Sequence, residues 1–528
     1  MIGAGRTFKD LICCLSILAL SACGGSVTET VTTPVDVIFD SQREEFLGGI
    51  RLAPPKEDQW DGYGEAVDVH GDVLAIGASE WNQLGPGSVY VYRLSQESWQ
   101  EETQLMASDR ELFIGQASLY GGQRFGSSVA VGDGIIVVGA PGSVRSVDSG
   151  YNGAVYVFDH DENGWSETAR LTPSRLDPIN EETRLKWLDF NRMKPRVFGS
   201  HVALNGDTLA VGGDADGMVY IYQRDGDGWD EQAQITIPTS PERDLYVTSM
   251  SLLGETLAVS ALFLPSQPNP ASLLTGSVAV YLFERVGTSW EESLRFLPDD
   301  GKVDYLLPGA INVGASVTLG GESGGADLLA VGLPGWPDWS GDLDENQIGL
   351  SPEHISEFAD FGVSSRRSGA VYIFGRGDEV GWQQHATLKP AGWDNPPGPG
   401  SFASFFPSHV EELSDAEKAE FYSALVFPGH ILSAIPEISF FGATVDLDGS
   451  HLAVTSGFAN STYLFERQGG EWIYLLRLKP KNVKVEVWED STQPVKISDH
   501  TLLLGTPSEF GNSAYVFRLC VPLNPDCN

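Results

Sequence analysis

Closely spaced carboxylates are the first residues in this chain whose types and spacing suggest chemistry. Asp342, Asp344 and Asn346 fall on alternate positions, and Glu353 stands at the twelfth place counted from Asp342. Oxygen donors at places one, three, five and twelve are what a calcium loop supplies, with the last donor bidentate. Gln347 occupies the place where such a loop turns on glycine, and no flanking helix pair is evident, so a solvated acidic loop is the competing reading. Just upstream, Trp336 and Trp339 enclose Pro337 and Asp338. Indole faces beside carboxylates can stack on sugar rings, or they can bury themselves and anchor the loop; the second use is the commoner one.

Other constellations are weaker. Asp159-His160-Asp161-Glu162-Asn163-Gly164 has calcium-type residues. It occupies the same hairpin position as Arg224-Asp225-Gly226-Asp227-Gly228, so it reads as turn chemistry. Gly321-Glu322-Ser323-Gly324-Gly325 fits the G-x-S-x-G string, but a nucleophile elbow joins strand to helix and this segment joins two strands. Arg376-Gly377-Asp378 is an adhesion tripeptide at a hairpin tip, where Gly-Asp is also ordinary turn chemistry. The histidines are scattered, with no H-E-x-x-H spacing. No catalytic motif emerges, and the chain is not expected to be an enzyme. No cofactor is expected beyond calcium at the acidic loop.

The cysteines speak of export. Arg6 and Lys9 precede an apolar run from Leu11 to Ala22, too short to span a bilayer. The run ends in Leu20-Ser21-Ala22-Cys23-Gly24, which resembles a bacterial lipobox. That resemblance implies a signal peptide over 1–22 and a lipid on Cys23. With Gly24 next, it implies sorting to the outer membrane, facing the periplasm or the surface. Residues 23–46 read as a flexible tether. Cys520 and Cys527 flank a Pro-rich tail over 520–528 and are expected to pair in an oxidising compartment; a two-thiol metal site is the lesser alternative.

The charge is lopsided: 72 acidic residues against 33 basic ones give a formal net charge of -39. Such a surface repels phosphate backbones and anionic lipid, so nucleic acid is excluded and membrane contact is expected only through the lipid.

What must position these residues is a repeat. An aromatic-Gly pair opens a first strand (A), and a Gly-Asp turn leads into an apolar second strand (B) ending near Gly-Ala. A third strand (C) follows as Gly-x-Val-Tyr-x-Phe. A polar hairpin, a Trp and a fourth strand (D) ending in Arg-Leu-x-Pro complete the unit. The fullest copy is Phe125-Gly126 to Val131, Ile135 to Pro141, Gly153 to Phe158, and Trp165 to Pro173. Others begin at Tyr63-Gly64, Phe198-Gly199 and Phe441-Gly442, with degenerate copies near Tyr246, Val313-Gly314 and Val485. One such unit cannot bury its faces alone, and radial stacking does so. The pattern resembles the FG-GAP repeat family, the propeller of integrin α subunits and many bacterial surface proteins. The resemblance implies an all-β, seven-bladed β-propeller of four-stranded blades over 47–519. It also implies calcium in the A–B loops, but these have collapsed to turns such as Gly132-Asp133-Gly134.

The last copy ends at Tyr515-Val516-Phe517 without its fourth strand, while Ile50-Arg51-Leu52-Ala53-Pro54 matches a D-strand ending. The N-terminal strand is therefore expected to complete the last blade. Strands alternate direction, so A–B and C–D turns share one end of the ring and B–C and D–A connections share the other. The long insertions over 174–196, 333–368 and 391–439 all fall at the second end, with helical runs expected around Glu181 to Met193 and from Ser414. Long loops on a rigid scaffold carry binding. The expectation is a monomeric, surface-tethered adhesion-type propeller that recruits a protein or glycan partner. A polysaccharide- or envelope-acting hydrolase and an outer-membrane assembly component are the alternatives.

Overall fold

The structure is a computed structural model, and it describes residues 34–39, 45–54, 62–79, 86–110, 123–143, 153–174, 198–213, 217–226, 228–238, 243–265, 275–296, 303–304, 315–321, 325–334, 369–377, 381–390, 441–456, 461–480, 493–506 and 513–519. All of them belong to one compact unit. Every named element among them is a β-strand.

Three short strands come first: β1 (Val35–Phe39), β2 (Glu45–Gly48) and β3 (Ile50–Leu52). Blade 1 follows as β4 (Tyr63–His70), β5 (Val73–Ala78), β6 (Ser88–Ser95) and β7 (Ser98–Leu105). Blade 2 is β8 (Ser128–Gly132), β9 (Ile135–Ala140), β10 (Ala154–Asp161) and β11 (Gly164–Leu171). Blade 3 is β12 (His201–Asn205), β13 (Thr208–Gly212), β14 (Met218–Asp225) and β15 (Gly228–Thr236). Blade 4 is β16 (Arg243–Leu253), β17 (Thr256–Pro265), β18 (Thr275–Val286) and β19 (Ser289–Phe296), with β20 (Val303–Asp304) added beside β18. Blade 5 is β21 (Ser316–Gly320), β22 (Leu328–Leu333), β23 (Ala370–Gly377) and β24 (Gly381–Pro390). Blade 6 is β25 (Phe441–Asp448), β26 (His451–Ser456), β27 (Ser461–Gln468) and β28 (Glu471–Pro480). Blade 7 has β29 (Val495–Ser498), β30 (Thr501–Thr506) and β31 (Ser513–Arg518), and β3 supplies its fourth strand.

The blades form a closed ring. Each first strand lies against the first strand of the next blade, and β29 returns to β4. The core is correspondingly divided into seven apolar slabs, one between each adjacent pair of blades. In β5, Val73 and Ala75 enter the slab shared with blade 2, while Leu74, Ile76 and Ala78 enter the one shared with blade 7. That two-sided burial is why second and third strands read as unbroken apolar runs, whereas the outer β7 reads Ser-Trp-Gln-Glu-Glu-Thr-Gln-Leu.

The recurring glycines are inter-blade contacts. Gly126 follows Phe125 with φ +95°, a conformation that favours glycine. Its carbonyl lies against the bare Cα of Gly77 in blade 1, where any Cβ would collide with it. The same opposition joins Gly139 to Gly199, Gly332 to Gly442 and, across the closure, Gly505 to Gly64. The glycine of an aromatic-Gly pair and the glycine closing the second strand of the preceding blade are thus two halves of one packing motif.

The expected closure is present: Ile50, Arg51 and Leu52 pair antiparallel with Val516, Tyr515 and Ala514. Two expectations need correction. The segment read as a flexible tether over 23–46 carries strands in its C-terminal half: β1 adds in parallel to β24 and β2 to β28, so these chain segments edge blades 5 and 6. The unpaired outer edges of two sheets supplied partners that local composition did not advertise. The last blade's first strand, read as beginning near Val485, is β29 from Val495, and Val485 itself lies outside the described residues. The signal segment 1–22, the helical runs expected in the insertions and the tail 520–528 also lie outside them.

Candidate functional site

The residues nominated from sequence, Trp336, Trp339, Asp342, Asp344, Asn346, Glu353, Cys23, Cys520 and Cys527, all lie outside the described residues. Among the described residues no group of His, Cys, Asp and Glu is arranged to hold a metal. The structure does define the scaffold that carries those loops. At one end of the ring β4 and β5 are joined by Gly71-Asp72 alone, and the corresponding joins in blades 2, 3, 4, 6 and 7 are equally short. At the other end β11 stops at Leu171 and β12 starts at His201, β22 stops at Leu333 and β23 starts at Ala370, and β24 stops at Pro390 and β25 starts at Phe441. The three long excursions leave from that one end.

Beneath the long-loop end, blade 2 holds a polar knot around Tyr156. Its hydroxyl donates to Asp109 Oδ1 at 2.7 Å and accepts from Gln123 Nε2 at 2.8 Å and from Arg170 Nε at 3.2 Å. Arg170 also pairs with Asp109 at 3.1 Å and lies over the Tyr156 ring. Burial pushes the phenol up to about 12, opposed by the hydrogen bonds from Ser143 and Arg170. A neutral phenol with every position engaged is not a nucleophile. It pins the chain entering blade 2 (Asp109, Gln123) to its last two strands. Gln123 Oε1 is buried without a partner among the described residues.

At the hub a second polar system runs around the ring. First strands are sheet edges, so their N–H groups need acceptors from outside their own sheet. A side chain one blade back provides them. Val131 N donates to Asp68 Oδ2 at 2.6 Å, Leu319 N to Ser251 Oγ at 2.9 Å, Leu447 N to Thr318 Oγ1 at 3.2 Å and Ile497 N to Asp446 Oδ2 at 2.8 Å. All four acceptors occupy the same place, two residues before the end of the first strand. Blades 2 and 3 have Ala130 and Ala203 there, without an acceptor.

Blade 7 has Lys496 there. It reaches Asp446 Oδ1 at 3.3 Å on one side and Asp68 Oδ1 at 3.9 Å on the other, across the seam between the last blade and the first. Burial raises both carboxyls above the ordinary carboxylate range, and Lys496 opposes the rise. The two carboxylates, Asp446 foremost, hold the Lys496 amine above its ordinary value. Each carboxylate also accepts a backbone N–H, so this triad joins blades 6, 7 and 1 rather than offering a free acid or base. Sequence reasoning passed over it. The signal was a charged residue at one repeat position inside apolar strands: Val67-Asp68-Val69, Val445-Asp446-Leu447 and Val495-Lys496-Ile497.

The other nominated turns are held by ordinary bonds. Asn163 N donates to Asp161 Oδ1 at 2.7 Å, closing the hairpin locally, and Asp159 pairs with Arg224 of blade 3 at 3.0 Å. Arg376 pairs with Glu284 of blade 4 at 3.3 Å. Gly321 and Gly325 lie between β21 and β22, a strand-to-strand join.

The fold is that of a seven-bladed β-propeller. No family model matches the chain, and no curated protein matches it. Among solved structures, Sqt1 of Saccharomyces cerevisiae covers 90% of this chain and 100% of its own, at 10% identity and a TM-score of 0.41. The WD40 domain of Toxoplasma gondii coronin covers 93% and 89%, at 11% identity and a TM-score of 0.38. A candidate 6-phosphogluconolactonase of Bacteroides uniformis covers 81% and 86%, at 9% identity and a TM-score of 0.38. These chains differ widely in function, and none lends an activity to this one.

Proposed function

We propose that this chain is a surface-tethered propeller of FG-GAP type, lipidated at Cys23, that recruits a protein or glycan partner through its long-loop end. One observation carries the reading: the three long excursions leave from a single end of a rigid ring whose other end is trimmed to tight turns in every blade but the fifth, where β21 and β22 are joined by 321–327. Variable loops on a rigid frame are the usual architecture of recognition. Support for the repeat type comes from the aromatic-Gly glycines and the glycines closing the second strands, which meet between blades as two halves of one contact. The ionisable groups described above at the long-loop end and at the hub, Tyr156, Asp109, Arg170, Asp68, Asp446 and Lys496, are engaged by internal bonds, which favours a scaffold over a catalyst.

The test is binding by the full chain carrying Cys23→Ala against a glycan array and isolated envelope proteins. Residues 391–439 are replaced in a second version by a short Gly-Ser linker. The reading expects a ligand bound by the first and lost by the second, with the β-sheet spectrum unchanged. A ligand bound equally by both, or none at all, refutes it.

A further inference from the structure

The three N-terminal strands form a strap over three consecutive blades. β1 pairs in register with β24 from Val35 opposite Ala386 to Phe39 opposite Pro390. β2 pairs with β28 from Glu45 opposite Arg477 to Gly48 opposite Pro480. β3 completes blade 7. Fourth strands run from the short-turn end to the long-loop end, and all three strap strands run the same way, with Val35 at the short-turn side of its pairing.

The strap is fitted to its place. Asp36 pairs with Lys389 at 2.8 Å, and Val37 packs against the slab between blades 5 and 6. Gly49 makes the step from blade 6 to blade 7 with φ +92°, and a Cβ there would meet the Phe517 ring at 2.9 Å. Arg51 Nε donates to Ser513 Oγ at 2.8 Å.

We propose that β1, β2 and β3 together are a shear-loaded fastener that carries tension between the chain's tether and a partner held at the long-loop end. Tension entering at residue 34 pulls β1 back along its own axis. Parallel-sheet hydrogen bonds lie across that axis, evenly spaced, and are strained together rather than broken one by one. When β1 yields, β2 and then β3 meet the same load in the same direction. β1 edges blade 5, from which the excursions after Leu333 and Pro390 both leave, and β2 edges blade 6, which the second of them enters at Phe441, so the load path runs through blades that bear those loops. The role rests on the tethered, ligand-facing reading above, but the mechanical claim does not need the lipid.

The test is single-molecule force spectroscopy on the full chain carrying Cys23→Ala, with one peptide handle inserted between Thr33 and Pro34. A second handle sits at Ser174, at the long-loop end, or in the Gly469-Gly470 turn at the short-turn end. Shear loading predicts a first rupture force several-fold higher with the Ser174 handle. It also predicts that Val37→Pro, or replacement of 35–39 by Gly-Ser residues, abolishes that first event while later ones persist. Equal forces in the two geometries, or a first event unchanged by both strap variants, overturns the proposal. Because the handles are covalent, an unlipidated Cys23 leaves this result untouched.

Discussion

Arg51 stands opposite Tyr515 across the seam where the two ends of the chain meet, the place Arg170 holds opposite Tyr156 in blade 2. The pairing recurs as Arg295 opposite Tyr281 and Arg477 opposite Tyr463. The closing strand is therefore an ordinary fourth strand supplied from the other end of the chain. Leu52, the next residue, is buried like its counterpart Leu171. Leu52→Ala is expected to cost about 2–4 kcal/mol, as Leu171→Ala should, because each removes a buried side chain from an inter-blade slab. Urea denaturation of the two variants checks it. A Leu52 variant as stable as the parent would mean the seam is open in solution.

The glycine contacts give a second expectation. Gly77→Ala puts a methyl group against the Gly126 carbonyl, backbone that cannot swing aside, so the first two blades must part. Overpacking of that kind costs about 1–3 kcal/mol or more. Gly228→Ala is the control: its Cβ would have nothing nearer than Asp225 O at 3.7 Å. That change should lie within about 0.5 kcal/mol of neutral. Thermal melts of both separate a packing role for the repeat glycines from a general cost of losing glycine.

Those glycines also explain what was legible in the sequence. The ring, its blade number and its closure could be read because Phe125-Gly126 and Gly139-Ala140 report a contact made between blades and repeated around the ring. Where the contact is replaced, the reading slipped. Blade 7 enters through Gln493-Pro494-Val495 with no aromatic-Gly, and its first strand was placed too early. The strap was missed for a different reason. Val35 to Phe39 is rich in strand-forming residues, but it stands outside the repeat pattern, and its partner is an edge built by residues more than three hundred positions away. The hub triad was missed because Asp68, Asp446 and Lys496 acquire meaning only when three blades are brought to one axis. The nominated Trp336 to Glu353 stretch is an insertion, and a repeat pattern says nothing about what an insertion does.

Tyr156 gives an alkaline signature. Its phenol titrates at about 12 in the folded chain against an ordinary 10.0. A raised folded value means its contribution to stability is whole below the ordinary value and is lost as pH rises through the raised one. Stability should therefore fall over that alkaline window, read by ultraviolet tyrosinate absorbance alongside circular dichroism. Tyr156→Phe should remove part of the dependence and cost about 1–3 kcal/mol at neutral pH, since Asp109, Gln123 and Arg170 each lose a partner. An unchanged alkaline profile in Tyr156→Phe would show that the knot is open to water.

Lys496 is the residue on which the hub depends most. Removing its charge leaves Asp68 and Asp446 facing one another with burial raising both and only the hydrogen bonds they accept, chiefly from Val131 N and Ile497 N, opposing the rise. Breaking a buried pair costs several kcal/mol, but the Lys496 side chain keeps 40% of its exposure. The screened figure for Lys496→Met is therefore about 1–3 kcal/mol at neutral pH. The sign with pH follows from the direction of the carboxyl shifts. Folded carboxyls that hold protons more tightly than unfolded ones contribute stability that is whole below the ordinary carboxyl value and is lost as pH rises through the raised one. In Lys496→Met that rise is larger, so the variant should recover toward the parent as pH falls into the carboxyl range. Adding Asp446→Asn should recover part of the loss at neutral pH, because one of the two facing charges is gone. Denaturation midpoints of the parent, the single variant and the double variant across pH decide it. A Lys496→Met deficit that stays constant with pH and is not relieved by Asp446→Asn would assign the residue a packing role and no electrostatic one.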